Sequence, residues 1–302
     1  MLPHHGRYNY SVIDRRADYT WPEGKRLAFY LSVAVEHFAF GTGVAEDRSS
    51  GQSQWSGWKL ERNYGWRDYG QRVGLWNLLA MLDALRLPIA HPVNSLIFRS
   101  QPQIAARIVA RGDEIIAYGR TSSELQQGMW ADDEADLIRA VTNTIAQGSG
   151  TVPIGWLSPG WSETAVTPDL LQEARYQYVL DWPADDQPFW LTTRSGRIMS
   201  VPYPLELNDF TAQLHRHHSA RDFSDMIVNQ FDEMIRQCMH RPLVCAIALH
   251  PYIVGQPFRL RMLRKALEHC VEHEQRERVW FTRPGEIARY AATLPPGVVP
   301  SA

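Results

Sequence analysis

The sequence predicts an α/β fold, a distorted (β/α) barrel of about seven parallel strands. The run LAFYLSVAVEHFAF, residues 27–40, is dense in β-branched and aromatic residues and has no polar alternation before Glu36. Such a run is typical of a strand buried on both faces. A second run of this kind, PLVCAIAL, lies near the carboxyl end of the chain. Between them strand-like and helix-like segments alternate, which is the pattern of a parallel sheet covered by helices.

Start and stop signals mark the elements between these two runs. An amphipathic helix is predicted from about Arg72 to Leu87, where Pro88 stops it. A further helix begins in SQPQ, with a serine N-cap and a proline in its first turn, and Gly112 ends it. The other predicted elements, in chain order, are the strands IAHPV, EIIAYG and VPIGW, and helices 132–150 and 167–176; then the strands QYVLDW and RIMSVPYPLEL, helices 219–237 and 257–274, and a last strand and helix in 277–294.

Composition restricts the class of protein. The 302 residues carry a formal net charge of -2 with acidic and basic residues interspersed, so we expect neither a nucleic-acid partner nor an anionic membrane surface. No window approaches the roughly 20 apolar residues of a membrane span, and the polar first 25 residues lack the apolar core of a secretory signal. Three cysteines without CxxC spacing favour a reduced, cytoplasmic compartment. We therefore predict one catalytic domain over residues 1–302, with a polar N-terminal extension of about 25 residues; a homo-oligomer stays open.

Polar and aromatic side chains follow the predicted strands, at the edge where ligands bind in such folds. Five strand ends supply them, and no single residue would support a site alone. They are Glu36 and His37 after the first strand; Tyr118, Arg120 and Glu124 after EIIA; Trp161 after VPIGW; Asp181, Trp182, Asp185 and Asp186 after QYVL; and His250 after PLVCAIAL.

Each of these residues has a structural alternative. His250 alone could equally be a hydrogen-bonded structural histidine. His37 could point away from the site, because successive strand residues face opposite sides. Asp185 and Asp186 could form a solvated turn, and Arg120 could anchor its loop. Glu36 favours a functional interpretation, since a carboxylate at the end of an apolar strand needs a partner.

The order of seven stretches resembles the polysaccharide deacetylase superfamily, the NodB-homology fold. The branch it resembles most holds cofactor-independent allantoinases and other cyclic-amide hydrolases. The matching stretches span residues 30–285 and are VAVEHFAFG, NYGWRDYGQRVG, GDEIIAYGRTSSE, GWLSPGWSET, TPDLLQEARYQYVLDWPADDQP, VPYPLELND and ALHPYIVGQPFRLRML.

The resemblance implies specific roles. Family deacetylases place two aspartates after the first strand, as base and metal ligand, where this sequence has Glu36 and His37. Their two ligand histidines match Tyr118 and Ser122, so we expect no metal and no other cofactor. The family's late histidine, which assists the leaving group, matches His250.

The resulting hypothesis is a hydrolase that cleaves a C–N bond in a small amide, imide or ureide, with Glu36, His37, Asp181 and His250 as catalytic residues. Tyr118 or Arg120, or the backbone around Gly160, would stabilise the oxyanion, and Trp161 and Trp182 would wall the substrate. Glu124, Asp185 and Asp186 would bind it. The alternatives are an N-deacetylase of a small amino sugar, an isomerase or lyase that uses the same acid and base, and a binding protein without activity. The Gly41–Trp66 segment is expected to be a lid that decides specificity.

Overall fold

A computed structural model describes residues 4–40 and 60–301 of the chain. Its strands are β1 (Leu27–Val33), β2 (Ile89–Val93), β3 (Glu114–Ala117), β4 (Gly155–Trp156), β5 (Tyr178–Val179), β6 (Phe189–Thr193), β7 (Gly196–Ser200), β8 (Leu243–Leu249) and β9 (Val279–Phe281). They form one sheet with the strand order β6-β7-β5-β4-β3-β2-β1-β8, and β9 pairs with β1 beside β2. Every pairing is parallel except that of β6 with β7. The predicted barrel of mostly parallel strands is confirmed.

Helices cover the outside of the sheet, because each presents one apolar face to it. Their bounds are α1 (Leu60–Tyr69), α2 (Leu75–Leu85), α3 (Ile97–Ser100), α4 (Pro102–Arg111), α5 (Ala131–Ser149), α6 (Thr167–Glu173), α7 (Ala220–Gln237), α8 (Pro251–Val254), α9 (Pro257–Glu272) and α10 (Pro284–Ala292). A side-chain capping box at Ser219 and Asp222 starts α7, and Gly112 in the left-handed conformation ends α4.

The centre of the fold is the pair β1 and β8. All seven residues of each strand are buried, and they pair in register from Leu27–Leu243 to Val33–Leu249. Large side chains fill the barrel interior, and the phenol of Tyr30 donates a 2.6 Å hydrogen bond to the Pro202 carbonyl there. Strand β8 lies at the end of the strand order opposite β6. An isolated bridge between Asn208 and Ala248 joins β8 to the chain segment that follows β7.

The residues before β1 pack on the barrel rather than extending from it. Trp21 is fully buried, and its indole donates a 3.1 Å hydrogen bond to the Leu243 carbonyl. Arg7 forms a bidentate ion pair with Asp169. The first turn of α6 is therefore tied to residues that the sequence indicated only as a polar extension.

Three local predictions need correction. Strand β6 was missed, because residues 189–200 form a β-hairpin and only its second strand was recognised. The N-cap of α4 is Gln101 and not Ser100, whose hydroxyl instead donates to the Leu96 carbonyl. The helix predicted from Arg72 begins earlier, since α1 continues through a π-helical segment, Gly70–Gly74, into α2. Residues 41–59 of the expected lid lie outside the described residues, and the remainder, up to Trp66, belongs to α1.

Within residues 4–40 and 60–301, no helix combines the length and the apolar character that crossing a membrane requires.

The π-helical segment touches the turn that follows β8. A Cβ atom on Gly74 would lie 2.1 Å from the Pro251 carbonyl oxygen, and one on Gly70 would lie 2.7 Å from the Tyr252 backbone nitrogen. We expect Gly74→Ala to lower the free energy of unfolding by about 1–3 kcal/mol, because one of two packed backbones must move. Urea denaturation measures this change. The control is Gly65→Ala in α1, where a Cβ meets nothing within 4 Å and alanine should be neutral or stabilise by up to about 1 kcal/mol. Equal stabilities of the two variants would refute the close approach.

Candidate active site

Glu36 lies just past β1, at the carboxyl end of the barrel. The Ser122 hydroxyl lies 2.9 Å from its Oε1 and 3.0 Å from Asn94 Oδ1, so the single hydroxyl proton can serve only one of them at a time. Glu36 Oε2 is buried and has no hydrogen-bond partner among the described residues. A buried carboxylate oxygen in this state needs a donor such as a water molecule or a substrate N–H group.

Asn94 fixes the backbone around this carboxylate. Its Oδ1 accepts a 2.7 Å hydrogen bond from the His37 backbone N–H, and its Nδ2 donates to the Tyr118 carbonyl. The Ser122 N–H in turn donates to the His37 carbonyl at 2.9 Å. The ends of β1, β2 and β3 are thereby joined by one fully buried amide side chain.

His250, which follows β8, is held by Asp209. The imidazole Nδ1 lies 2.6 Å from Asp209 Oδ1, and the His250 backbone N–H donates to Oδ2 at 2.8 Å. Burial alone would lower the pKa of His250, but the charges of Asp209 and Glu36 outweigh it, so the pKa of His250 is raised. The influence of Glu36 means that the two predicted catalytic groups lie close together, as expected for ends of neighbouring strands.

Three buried phenols feel the charge of Glu36. Burial raises the pKa values of Tyr118, Tyr203 and Tyr252 above the ordinary value of 10, and the charge of Glu36 raises all three further, together with Asp209 at Tyr203 and Tyr252. All three are therefore protonated at neutral pH. The site thus holds hydroxyl groups that can donate a hydrogen bond but do not add negative charge.

Arg67 of α1 brings a positive charge to the same place. Its side chain is buried, with its guanidinium carbon 4.3 Å from the ring centre of Phe38 and 5.0 Å from that of Tyr252. Its Nη1 donates a 3.2 Å hydrogen bond to the Tyr252 hydroxyl. Because Arg67 also acts to lower the pKa of His250, its charge reaches the imidazole as well.

His37 turns away from Glu36. Its Nδ1 lies 3.3 Å from the Ser100 hydroxyl, beside Gln101, in a half-exposed position. Burial lowers the pKa of His37, and the neighbour that opposes this effect is Gln101 rather than Glu36. The alternative that His37 points away from the catalytic carboxylate is the arrangement found.

Asp181 belongs to a separate group of carboxylates. It accepts hydrogen bonds from the Ser158 backbone N–H at 2.9 Å and from the Ser158 hydroxyl at 3.3 Å. Burial raises the pKa values of both Asp181 and Glu163, and each has a neighbouring carboxylate that raises it further. The charge of Asp181 also raises the pKa of Tyr203, whereas the charges that raise the pKa of His250 are those of Asp209 and Glu36.

Two other predicted residues form an ion pair of their own. Arg120 donates two 2.8 Å hydrogen bonds to Glu124, and its side chain is 51% exposed. The expected backbone donors near Pro159 are also engaged: the Gly160 N–H binds the Tyr118 oxygen, and the Trp161 N–H donates to the Ser158 carbonyl. These groups are therefore bonded within the chain, and to serve as oxyanion donors they would have to exchange these partners for a substrate.

The pair Asp185 and Asp186 is placed at the wrong end of the barrel for the role predicted. Asp185 forms a bidentate ion pair with Arg16 at 2.6 and 2.8 Å. The Asp186 carbonyl accepts a hydrogen bond from Val244, near the start of β8. Six strand residues separate Val244 from His250, a distance of about 20 Å. These two aspartates stabilise the fold instead of contacting a ligand beside His250.

The two tryptophans that were expected to line the substrate site lie elsewhere in the structure. Trp182 packs against the rings of His5 and Tyr8, at centroid distances of 5.5 and 5.7 Å, on the outer side of the sheet. Trp161 is 38% exposed and has a positive φ of 53°. Neither ring is among the aromatic groups that touch Glu36 or His250 in the described part of the chain.

Sequence reasoning missed Asp209 and Arg67. Both lie in stretches that matched the family, VPYPLELND and NYGWRDYGQRVG; Asp209 comes two residues after the predicted strand RIMSVPYPLEL, whereas Arg67 follows no recognised strand. The available signal for Asp209 was a carboxylate directly after an apolar, proline-interrupted segment. Arg67 had no signal that set it apart from other helical arginines.

The side chains present do not fit the metal site that the family implies. Tyr118 is a protonated phenol, the Ser122 hydroxyl is bonded to Glu36, and the His37 ring faces Ser100. Within the described residues, no three histidine, cysteine or carboxylate groups near Glu36 lie close enough to share an ion. Zinc needs nitrogen, sulfur or carboxylate ligands around one point, and the described side chains beside Glu36 do not provide such a set.

Known proteins resemble this chain along most of its length, although no model of a protein family matches it. It is 24% identical over 241 residues to a provisionally named polysaccharide deacetylase of Schizosaccharomyces pombe, covering 74% of this chain and 73% of that protein. It is 25% identical over 243 residues to the peptidoglycan deacetylase of Helicobacter pylori, covering 68% and 80%. The crystal structure of PuuE allantoinase has a TM-score of 0.78 and 25% identity, covering 91% of this chain and 93% of that one.

These similarities agree with the predicted fold. Deacetylases and allantoinases are hydrolases that act on carbon–nitrogen bonds other than peptide bonds. In sequence and in fold, the chain therefore resembles the polysaccharide deacetylase (NodB-homology) superfamily of hydrolases, and among its members the allantoinases.

Proposed function

We propose that this protein hydrolyses a C–N bond in a small, cyclic or linear amide, imide or ureide, without a catalytic metal. The observation that carries the proposal is the buried Oε2 of Glu36, which lacks a partner and lies close to the Asp209-bound imidazole of His250. A base with an unused lone pair beside an imidazolium is the arrangement that amide hydrolysis needs. The likeness to PuuE allantoinase supports the cyclic ureides as the first substrates to test.

Glu36 would act as the general base. Its Oε2 accepts a proton from water, and the resulting hydroxide adds to the carbonyl carbon to give a tetrahedral intermediate. Ser122 holds Oε1 at 2.9 Å, so only one of the two oxygens is directed at the water. This arrangement limits the rotation of the carboxylate and supports its role as a positioned base.

His250 would act as the general acid. Asp209 and Glu36 favour the imidazolium, and Asp209 occupies Nδ1, so the proton to be transferred is the one on Nε2. It passes to the departing nitrogen as the C–N bond breaks. Asp209 is a positioning residue, because it fixes the ring and its charge but lies behind it.

Arg67 and the phenol groups would stabilise the oxyanion. A metal-free site must supply positive charge from a side chain, and Arg67 is a buried guanidinium whose charge reaches both His250 and Tyr252. Tyr118 and Tyr252, both protonated, can donate hydrogen bonds to the same oxygen. Arg67 thus takes the oxyanion-stabilising role that the sequence suggested for Arg120.

An N-deacetylase of a small amino sugar is the second candidate. The names of the two sequence relatives favour it, since both are deacetylases. The same base, acid and cation would serve it, because an acetamide and a ureide both pass through a tetrahedral oxyanion. Parallel assays on cyclic ureides and on N-acetylated amino sugars distinguish the two candidates, and hydrolysis of neither class would favour a binding protein.

The first prediction concerns the base. Glu36→Gln keeps the shape of the side chain but removes its basicity, so kcat should fall about a hundredfold or more, while substrate affinity changes much less. Steady-state kinetics and ligand-binding measurements provide the two values. Glu173→Gln, at an exposed ion pair with Arg194, serves as the control and should not change kcat. If Glu36→Gln weakened binding and left kcat intact, Glu36 would only be holding a cation in place.

The second prediction concerns pH. The active form carries protonated His250, so activity that depends on this proton is present below the raised pKa of His250 and is lost as pH rises through it. Asp209→Asn removes the charge that raises this pKa, and the alkaline limb of the kcat/KM profile should move to lower pH. Asp225→Asn, on the exposed surface of α7, should leave the profile in place. An unmoved limb in Asp209→Asn would remove His250 from the role of acid.

The third prediction concerns metals. Dialysis against a strong chelator should leave the hydrolysis rate unchanged, because none of the proposed steps uses a metal. Rates measured before and after dialysis, and after adding zinc or cobalt, test this. Loss of activity that zinc restores in the parent chain, but not in His37→Ala, would show a catalytic metal bound through His37.

A further inference from the structure

A second cluster of metal-binding side chains lies on the outer helices. Asp232 belongs to α7, His269 to the last turn of α9, and His273 follows the end of that helix. The His269 Nε2 lies 2.6 Å from Asp232 Oδ1, and the His273 Nε2 lies 3.6 Å from the same oxygen. All three donor atoms fall within 4.8 Å of one another, a cluster that no other three such groups form in residues 4–40 and 60–301.

This cluster is separate from the proposed active site. Helix α9 begins seven residues after His250 and runs for 16 residues, so its carboxyl end lies about 24 Å from its start. No contact or electrostatic influence links Asp232, His269 or His273 to Glu36, Asp209 or His250 among the interactions of the described residues.

The donor set matches zinc in type and spacing. Two imidazole nitrogens and one carboxylate oxygen are zinc ligands, at bond lengths of about 2.0–2.2 Å, which in a tetrahedron places ligand atoms about 3.3 Å apart. The observed separations from the Asp232 oxygen, 2.6 and 3.6 Å, lie on either side of this value. His269 lies in the last turn of α9 and His273, four residues later, is the residue that caps this helix; both Nε2 atoms lie within 3.6 Å of the Asp232 oxygen, so small side-chain rotations are enough to enclose an ion.

Packing already orients the two rings. The buried ring of Phe231 lies 5.6 Å from that of His273 and 6.5 Å from that of His269, measured between centroids. The three donor side chains are 14–44% exposed, which leaves an open fourth position for water. Their rotamers are thus partly fixed before an ion binds, and this reduces the entropy lost on binding.

Binding requires a rearrangement of protons. The His269 Nε2 is hydrogen-bonded to Asp232, and a metal would take the place of the shared proton. The His273 Nδ1 accepts a 3.1 Å hydrogen bond from the Gln275 backbone N–H, so this ring carries its proton on Nε2 when neutral. Coordination through Nε2 moves that proton to Nδ1 and breaks the bond to Gln275.

We propose that Asp232, His269 and His273 form a binding site for one divalent transition-metal ion, with zinc as the best-matched ion. The ion would join α7 to α9 through Asp232 Oδ1 and the two Nε2 atoms. It would stabilise the folded chain without taking part in hydrolysis. Zinc found in the purified protein would then belong to this surface site and would not indicate a catalytic metal.

The test uses the full-length protein after removal of metals by a chelator. Isothermal titration with zinc chloride should give about one site per chain, and zinc should raise the melting temperature. Asp232→Asn and His269→Ala should weaken zinc binding by about tenfold or more and abolish the thermal shift. His240→Ala, at an exposed histidine outside the cluster, should behave like the parent chain. Magnesium, which prefers oxygen ligands, should produce no shift.

Two results would overturn the proposal: no zinc binding by the parent chain, or equal binding by the parent chain and both variants, which would place the ion elsewhere. Melting of the metal-free variants checks that they fold, because these partly exposed substitutions should leave the melting temperature nearly unchanged. The outcome is independent of hydrolysis, so the surface site and the proposed function can fail separately.

Discussion

The parallel pairing of β1 with β8 is the constraint on which the candidate site depends. It joins seven residues of each strand, all buried, and continues in the hydrogen bond from the Ala34 N–H to the Leu249 carbonyl. Parallel strands end at the same edge of a sheet, so Glu36 and His250 emerge side by side. Asn94 then attaches the ends of β2 and β3 to the same point. A shift of register would separate Glu36 from His250.

Burial of charge is the second constraint on the site. Glu36 and Asp209 bring two carboxylates to a largely buried place, which would be costly without compensation. His250, paired with Asp209, and Arg67 provide that compensation, while the phenols add hydrogen bonds without adding charge. The outer carboxylates, Asp181 and Glu163, lie away from these cations, and their pKa values rise instead. Two carboxylates at this end thus lie beside cations, whereas Asp181 and Glu163 have raised pKa values that favour their protonated forms.

The sequence predicted those parts of the site that depend on strand ends. Tyr118 and His250 directly follow a strand and Glu36 comes three residues after one, so the direction of each strand is enough to place them. The prediction from the sequence failed for Asp185 and Asp186. Within a few residues of Asp181, the chain turns away from the carboxyl ends of the strands, and Asp186 lies beside the start of β8. The prediction also failed for Arg67 and Asp209, whose positions are decided by how a helix and an irregular segment pack. Such packing has no short sequence signal.

The two strands that define the site are far apart along the chain. Leu27 pairs with Leu243, so most of the sequence lies between β1 and its partner strand β8. Pairings of such long sequence separation give a high contact order, which is associated with slow folding and prolonged exposure of apolar strands. During synthesis, β1 leaves the ribosome long before β8 does. The emerging chain thus carries a mostly apolar strand whose β8 edge is still unpaired, and Glu36 meets His250 only after β8 has been synthesised.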